Sequence, residues 1–150
     1  MTEQQILDAF RAHPNPCLVT LGGKVVSFDP ETDVCVMQWQ ATQAHCHSTH
    51  GHPKGGIVQG GFVTGWIDAA MAHACMAKSR FTMAVPSLEI KVSFLLAAHP
   101  GRYHAKGWVT RWGRTVAFLE GELTDEAGQL IARASSTVAL RPAPARAPAA

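Results

Sequence analysis

Apolar residues recur along this chain at two spacings, one typical of helices and one typical of strands. The first helical pattern follows Thr2 and Gln5, which have the spacing of a capping box. The apolar residues of the next two turns share one face: Ile6, Leu7 and Phe10. This pattern predicts a short amphipathic helix that ends near His13-Pro14.

A longer helical pattern runs from Gly60 to about Ser79. Its larger apolar residues stand at helical spacing: Phe62, Val63, Trp66, Ile67, Ala70, Met71 and Ala74. Small residues occupy much of the remaining surface, so this helix is apolar nearly all round and we expect it to be buried. The apolar stretch is long enough to span a bilayer, but a charge such as Asp68 at mid-bilayer costs about 3 kcal/mol. We therefore predict a helix enclosed by protein, with no membrane partner.

Strand-like patterns lie on both sides of this helix. Residues 18–28 and 34–39 are rich in β-branched and aromatic side chains and are separated by a turn-forming segment, which predicts a first hairpin. After the helix, apolar residues alternate with polar ones as a half-buried strand requires: Leu88, Ile90, Val92 and Phe94. Further strands are predicted over residues 103–112, 115–123 and 130–140. Short turns join these four strands, so we predict an antiparallel meander.

The order of these elements predicts an α+β fold in which one antiparallel sheet wraps round one long central helix. Residues 1–140 are predicted to form this single domain. Residues 141–150 are rich in proline and alanine. We expect them to be disordered, because repeated prolines prevent both helix and ladder hydrogen bonds.

Composition adds an expectation about assembly. The chain has 150 residues, of which 47% are hydrophobic and only 16% are charged. A lone domain of this size would struggle to cover its surface with charge, so we predict a homo-oligomer, either a dimer or a tetramer. The formal net charge is +2 and there is no basic run, which argues against nucleic acid as the main ligand.

The four cysteines are Cys17, Cys35, Cys46 and Cys75, and none of them forms a CxxC pair. The first residues of the chain are polar and amphipathic rather than those of a secretory signal. Both features predict a reducing, cytoplasmic location.

Asp68 is the candidate for chemistry. It is the only formally charged side chain between Lys54 and Lys78, and it lies two turns inside the helix that should be buried. An unpaired buried carboxylate costs several kcal/mol, so it needs a partner, a proton or a function. Two interpretations remain: an aspartate held by an arginine or by backbone donors, and a catalytic carboxylate, which we favour.

The glycines at the helix start suggest where a substrate would bind. Gly60 and Gly61 open the helix, where the first backbone N–H groups lack intrahelical acceptors and the helix dipole is positive. A carbonyl oxygen that gains negative charge would be stabilised there, and the absence of a Cβ lets a ligand approach the backbone. The alternative is a loop that needs positive φ or tight packing.

These residues also carry a family resemblance. GGIVQGGFVTGWIDAAM, together with the sheet motif Phe94, Gly101, Gly113-Arg114-Thr115, Asp125, Gly128 and Ala132, resembles the hotdog-fold acyl-CoA thioesterases. The similar group is that of the phenylacetate-degradation and 4-hydroxybenzoyl-CoA thioesterases, and the resemblance covers about residues 50 to 140. In that group a His/Gln-Gly-Gly motif starts the central helix and an acid follows nine residues after its first position, as Gln59 and Asp68 do.

The resemblance implies a hotdog dimer whose sheets join edge to edge, with each active site between subunits. Asp68 would be the general base or the nucleophile, and the Gly60 N–H would polarise the thioester carbonyl beside Gln59. Ser87 corresponds to a hydroxyl with which some relatives position water. The implied substrate is an acyl-CoA, and neither a metal nor another cofactor is expected.

Further contacts with the substrate are expected from the loop before the helix and from surface cations. His52, Gly56 and Gly61 are predicted to lie against the substrate. Arg114, together with Lys54 and Arg111, is a candidate for the nucleotide end of CoA. The identity of the acyl group is not readable from the sequence.

Other functions remain open. The chain is alternatively a non-catalytic acyl-CoA-binding protein, or a hotdog dehydratase or hydratase, which would need a histidine where Gln59 stands. A histidine cluster beside Cys46 has partial zinc-ligand spacing but lacks a second ligand pair, so we interpret it as a solvated or substrate-adjacent loop: His45, His47, His50 and His52. Cys75, one heptad after Asp68, is interpreted as a core residue rather than as a nucleophile. The four tryptophans are assigned to the core, an interface or an acyl pocket.

Overall fold

The computed structural model describes residues 1–13 and 15–144. Its helices are α1 (Glu3–Ala12), α2 (Pro16–Leu21) and α3 (Gly60–Lys78), and one 3-10 turn spans Gln43–His45. The strands in chain order are β1 (Gly23–Asp29), β2 (Val34–Ala41), β3 (Cys46–His47), β4 (Ile57–Val58), β5 (Met83–Ala84), β6 (Ser87–Phe94), β7 (Gly101–Trp112), β8 (Val116–Asp125), β9 (Leu130–Ala139) and β10 (Arg141–Pro142). None of the helices in this part of the chain is long and apolar enough to cross a bilayer.

Six strands form one antiparallel sheet in the order β1-β2-β7-β8-β9-β6, and this sheet wraps round α3. Nine residues of α3 are buried, as its apolar surface predicts. Two glycines let the sheet approach the helix closely: a Cβ at Gly107 would lie 2.3 Å from the Met71 nitrogen, and one at Gly121 would lie 2.7 Å from Ile67. The predicted α+β hotdog fold is confirmed.

The predicted meander of four strands is wrong in one step. Strands β7, β8 and β9 are consecutive neighbours, but β6 pairs with β9 on the far side from β7. Residues 95–100 join β6 to β7 as a loop that crosses the sheet end rather than as a tight turn. Hydrogen bonds from Leu95 N–H to the Ile131 carbonyl and from Val58 N–H to the Ala98 carbonyl fix this loop.

The strand predicted over residues 18–28 is wrong in its first part, because a short helix, α2, precedes β1. Asn15 caps this helix by accepting a hydrogen bond from Cys17 N–H, and Pro16 occupies the first turn. Gly22 ends it with φ of 78°, a left-handed conformation that favours glycine. The predicted first helix is confirmed with its capping box and ends at Ala12, while Pro14 lies outside the described residues.

Strand β6 is an edge strand and is more exposed than predicted. Ile90 and Val92 are half-buried, but Leu88 is 60% exposed and Phe94 is 55% exposed. Leu95 and Leu96 continue this exposed apolar surface. Because β6 has a neighbour on one side only, the other side presents unpaired backbone groups together with these side chains.

The beginning of the tail is ordered, contrary to the predicted disorder of residues 141–150. Arg141 pairs with Ala84 of β5, and the Ala143 N–H donates to the Thr82 carbonyl. Pro142 is tolerated because β10 belongs to a strand pair of only two residues each, where a missing donor is unimportant. Residues 145–150 lie outside the described residues, and the boundary at residue 140 stays a prediction.

Candidate active site

Asp68 and Ser87 form a polar pair between the central helix and the edge strand. Asp68 lies in the third turn of α3, and Ser87 is the first residue of β6. The Ser87 hydroxyl donates a hydrogen bond to Asp68 Oδ1 at 2.9 Å. Among the described residues, no cation lies within ion-pair distance of Asp68. The carboxylate is therefore held by a hydroxyl, and the arginine partner considered for it is not found.

Asp68 is less buried than the sequence predicts. It is half-buried and its partner Ser87 is exposed, because both lie beside the open side of β6. Within the described part of the chain, Asp68 Oδ2 accepts no hydrogen bond. One carboxylate oxygen is thus oriented and the other remains available to a water molecule or to a substrate carbon.

The start of α3 offers one backbone donor rather than two. Gln59 is the N-cap, and its Oε1 accepts the Gly61 N–H at 2.6 Å. The Phe62 N–H donates to the Gln59 carbonyl. The Gly60 N–H donates to no acceptor among the described residues. We predicted Gly61 as a substrate contact, but its amide is already used by the cap, whereas the Gly60 amide is available.

A small apolar pocket opens beside this amide. It has a volume of about 300 Å³ and is lined by Gly60, Val63 and residues of the β6–β7 connection. The Phe94 ring covers the Gly60 backbone so closely that a Cβ there would lie 3.1 Å from the ring. Gly60 therefore allows this close approach without a positive φ, and a larger residue here would require the exposed Phe94 ring to shift by a few tenths of an ångström.

The two chemical groups lie far apart within one chain. Gly60 and Asp68 are eight residues apart on the same helix, so their separation along the helix axis is about 12 Å. Gly60 lies beside Phe94, the last residue of β6, whereas Asp68 contacts Ser87, the first residue. A carbonyl bound at Gly60 is thus out of reach of the Asp68 carboxylate of the same chain.

The loop before the helix is held by a histidine that sequence reasoning missed. His99 Nδ1 donates to the Gly56 carbonyl at 2.7 Å, and its ring lies 5.3 Å from the ring of His52. Gly56 has φ of 131°, and a Cβ there would lie 2.9 Å from Cys46, so glycine is required. His52 Nδ1 accepts the Lys54 N–H. The only sequence signal for His99 is its place in the strand-breaking sequence His-Pro-Gly after β6.

The four clustered histidines do not share one surface. His45 is buried, with Nδ1 accepting the Thr42 N–H and its ring packed edge-on against Phe62. His47 and His50 are exposed. Across residues 1–13 and 15–144, no group of three potential ligand side chains is arranged to hold a metal ion.

Residues 55–132, just over half of the chain, match the sequence model of the thioesterase superfamily. The chain belongs to the thioesterase superfamily. The match spans α3 and most of the sheet, and it confirms the predicted enzyme class, a thioester hydrolase. No curated protein sequence matches the chain.

Solved structures of other thioesterase-like proteins have the same fold. A phenylacetic acid degradation-related protein of Ralstonia eutropha is 27% identical, with a TM-score of 0.77 and coverage of 89% of this chain and 98% of that one. The E. coli PaaI protein from the phenylacetic acid degradation operon is 17% identical, with a TM-score of 0.77 and coverage of 93% and 94%. Zebra fish thioesterase superfamily member 2 is 24% identical, with a TM-score of 0.75 and coverage of 94% and 99%. These likenesses confirm the resemblance to hotdog thioesterases of the phenylacetate-degradation group.

Arg114 lies at the end of the thioesterase sheet that carries Ser87. It is exposed in the turn between β7 and β8. That turn adjoins the last residues of β9, because Leu140 N–H donates to the Thr115 carbonyl and Ala139 N–H donates to the Pro86 carbonyl. Its predicted contact with the nucleotide end of CoA stays a prediction.

Cys75 is a buried core thiol of the thioesterase. Burial raises its pKa to about 12, with Lys78 acting weakly in the opposite direction, so the nucleophilic thiolate is disfavoured. Trp39 and Trp66 are fully buried and stack with ring centroids 6.1 Å apart. These two tryptophans therefore belong to the core rather than to an acyl pocket.

Proposed function

We propose that the protein hydrolyses acyl-CoA thioesters to a free acid and CoA, at sites shared by two subunits. The observation that carries this proposal is the placement of a free helix-start amide and an accessible carboxylate at opposite ends of the edge strand β6. Each group alone is half of a hydrolytic site. Together, across an interface, they supply an oxyanion donor and a base or nucleophile.

The geometry of β6 supports the pairing of two chains. If two copies of β6 associate as antiparallel neighbours about a two-fold axis through their centre, the Ser87 end of each strand meets the Phe94 end of the other. Asp68 of one chain then approaches Gly60 of the partner subunit. The same contact covers the exposed side chains of Leu88 and Phe94 and the open backbone edge. A dimer is thus the minimum assembly, and a dimer of dimers is compatible with it.

Hydrolysis follows from these placements by one of two routes. The thioester oxygen accepts the Gly60 N–H at the positive end of α3, which stabilises the negative charge that develops there. In the first route Asp68 removes a proton from water, the oxygen adds to the carbonyl carbon, and the tetrahedral intermediate expels CoA thiolate, which is then protonated. In the second route an Asp68 oxygen attacks the carbon, CoA thiolate leaves from the resulting adduct, and water hydrolyses the mixed anhydride. Ser87 orients Asp68 in both.

The acyl group is proposed to lie in the apolar pocket beside Gly60. Its volume of about 300 Å³ within one chain suits a short or aromatic acyl group better than a long one. The phenylacetic acid degradation named for two structural neighbours favours an aromatic acyl group as well. His52, Gly56 and Arg114 remain proposed contacts of the remainder of the substrate.

A cytoplasmic location is proposed on the state of the cysteines. All four are free thiols, and Cys35 and Cys75 are packed in the core as thiols. Thiols persist in reducing compartments.

The substrate class is tested by measuring turnover on short, aryl and long acyl-CoAs, with and without prolonged chelation. We expect release of CoA from at least one class, at a rate that chelation leaves unchanged because Asp68 and Gly60 need no metal. Uniform absence of turnover with retained acyl-CoA binding would favour the non-catalytic alternative. Hydration of an enoyl-CoA would favour the hydratase alternative, although the side chain of Gln59 is engaged as a helix cap. Activity that is lost on chelation and restored by zinc would indicate that the clustered histidines of residues 45–52 bind a metal ion.

The subunit arrangement is tested by placing a charge on the open edge. We expect Leu88→Glu to dissociate the dimer and to abolish turnover, because a carboxylate would be buried between two β6 strands. Val19→Glu is the matched control, since Val19 is 83% exposed on α2 near the opposite edge of the sheet. Sedimentation velocity and turnover are measured on the same samples. An active monomer at micromolar concentration, in either variant or in the wild type, would contradict the shared site.

A further inference from the structure

A second and larger cavity lies beside β1, at the opposite edge of the sheet from Asp68 and Ser87. It has a volume of about 520 Å³ and is bounded by α1, α2 and β1, with His73 of α3 on its inner side. Strands β1 and β6 stand at the two ends of the strand order, so this cavity is separate from the candidate active site. Its volume falls within the range of small-molecule sites, roughly 300–1,000 Å³.

His73 lines this cavity and carries an unpaired hydrogen-bond acceptor. The residue is only 6% exposed, and Nδ1 lies 2.7 Å from the Ala69 carbonyl, so Nδ1 carries the proton and Nε2 is the acceptor. Burial lowers the pKa of His73, and the hydrogen bond to Ala69 opposes this effect only in part. The lowered pKa favours the neutral ring near pH 7. Within the described residues Nε2 has no partner, yet it is not sealed from solvent. A buried acceptor without a partner is costly unless a ligand or water supplies a donor.

Apolar side chains form one part of the cavity wall. They come from both short helices and from β1: Leu7, Phe10, Leu18 and Val25. Phe10 lies against the His73 ring, with ring centroids 4.7 Å apart. An apolar body of one or two rings would therefore be enclosed between the acceptor and the opening.

The polar residues of the cavity give it a positive charge. Arg11 and Lys24 contribute two cations, and no carboxylate is among the described residues that line the cavity. Arg11 contacts Asp8 at 3.0 Å, but this pair is exposed and weak, and Lys24 makes no ion pair among the residues described. This set of charges favours an anionic group on the ligand.

We propose that this cavity is a second small-molecule site, which binds an amphipathic carboxylate that has a hydrogen-bond donor at the end remote from its carboxylate. The donor, a hydroxyl or an N–H, bonds to His73 Nε2, the apolar body lies against Phe10 and Leu18, and the carboxylate faces Lys24 and Arg11. His73 binds the ligand without reacting with it. This site does not depend on the proposed hydrolysis and would persist if that proposal failed.

The probe is 6-hydroxy-2-naphthoate, a rigid fluorescent molecule with a hydroxyl and a carboxylate at opposite ends. We expect saturable binding at one molecule per chain. His73→Phe keeps an aromatic ring beside Phe10 but removes the acceptor, and Lys24→Met removes an exposed cation. Each is expected to weaken binding by about fivefold to tenfold, the effect of one hydrogen bond or ion contact in a partly buried site. Leu18→Trp, which fills the cavity, should abolish binding.

Matched ligands and variants locate the probe. In the wild type, 6-methoxy-2-naphthoate, which cannot donate, should bind as weakly as the hydroxyl compound binds to His73→Phe, and that substitution should not weaken it further. Asp68→Asn and Lys91→Met, both remote from the cavity, should leave binding unchanged. Binding that is insensitive to both His73→Phe and Lys24→Met, or that is lost in Asp68→Asn, would overturn the proposal. Absence of saturable binding at millimolar probe would overturn it as well.

Discussion

Asp68→Asn is expected to lower turnover by about 10²–10⁴, the usual contribution of a general base. The amide keeps the size of the side chain and can still accept the Ser87 hydroxyl, which now donates to Asp68 Oδ1 at 2.9 Å. It can neither remove a proton from water nor attack a carbonyl carbon. Turnover is therefore expected to fall by either chemical route, while affinity for a non-hydrolysable acyl-CoA analogue is retained.

The effect on stability separates this role from a structural one. Asp68 is half-buried and has no cationic partner among the described residues, so its replacement leaves no charge uncompensated. We expect the melting temperature to stay the same or to rise slightly. An aspartate that held the core by an ion pair would instead cost about 3–5 kcal/mol when neutralised.

Two further variants complete the comparison. Ser87→Ala should reduce turnover less than Asp68→Asn, because it removes only the hydrogen bond that orients the carboxylate. Glu120→Gln, which neutralises an exposed carboxylate on the outer face of β8, should change nothing. Turnover, melting temperature and analogue affinity are measured on one preparation of each variant. Wild-type turnover in a folded Asp68→Asn protein would exclude Asp68 as the catalytic group.

Local patterns in the sequence predict the parts of the fold that depend on neighbouring residues. The capping box at Thr2 and the apolar surface of α3 are encoded within one or two turns, and both are found. The sequence pattern does not predict α2, because the β-branched and apolar residues of this helix are typical of a strand, although Asn15-Pro16 and Gly22 mark a short helix. The place of β6 beside β9 depends on pairs between residues that are about 40 to 50 positions apart, which no local pattern predicts.

The candidate site likewise combines features that local sequence predicts with contacts that only the folded chain shows. The residues at the start of α3 identify the helix and its donor, but only the structure shows that the Gln59 side chain occupies the Gly61 amide. The family resemblance implies a hydroxyl at Ser87 that positions water, but only the structure shows that Ser87 contacts Asp68, because this contact joins a strand to a helix. The sequence does not distinguish His73 from the other residues of an apolar helix, because the cavity that it lines is created by α1, α2 and β1.

Removing the Gly60 amide is expected to lower turnover by about 10²–10³, the loss seen when one oxyanion donor is deleted. Gly60→Pro removes this N–H at a position where proline is well tolerated, the first residue of a helix. Gln59, with φ of −65° and ψ of 135°, already has the extended conformation that precedes proline. Gly60→Ala is the control, because it brings a Cβ to the same 3.1 Å contact with the Phe94 ring but retains the N–H. A similar loss in both variants would assign the effect to crowding by Phe94 rather than to the missing donor.

Mixing two inactive variants then tests whether the site is shared. After dissociation and reassociation of equal amounts of Asp68→Asn and Gly60→Pro, about half of the dimers should contain one chain of each kind. In such a dimer the Asp68 of one chain meets the intact Gly60 amide of the other, so one of its two sites is complete and the second lacks both groups. About a quarter of the wild-type turnover should therefore return. A site built within one chain would regain nothing, because every chain in the mixture lacks one of the two groups. The separation of about 12 Å along α3 is the physical reason to expect recovery.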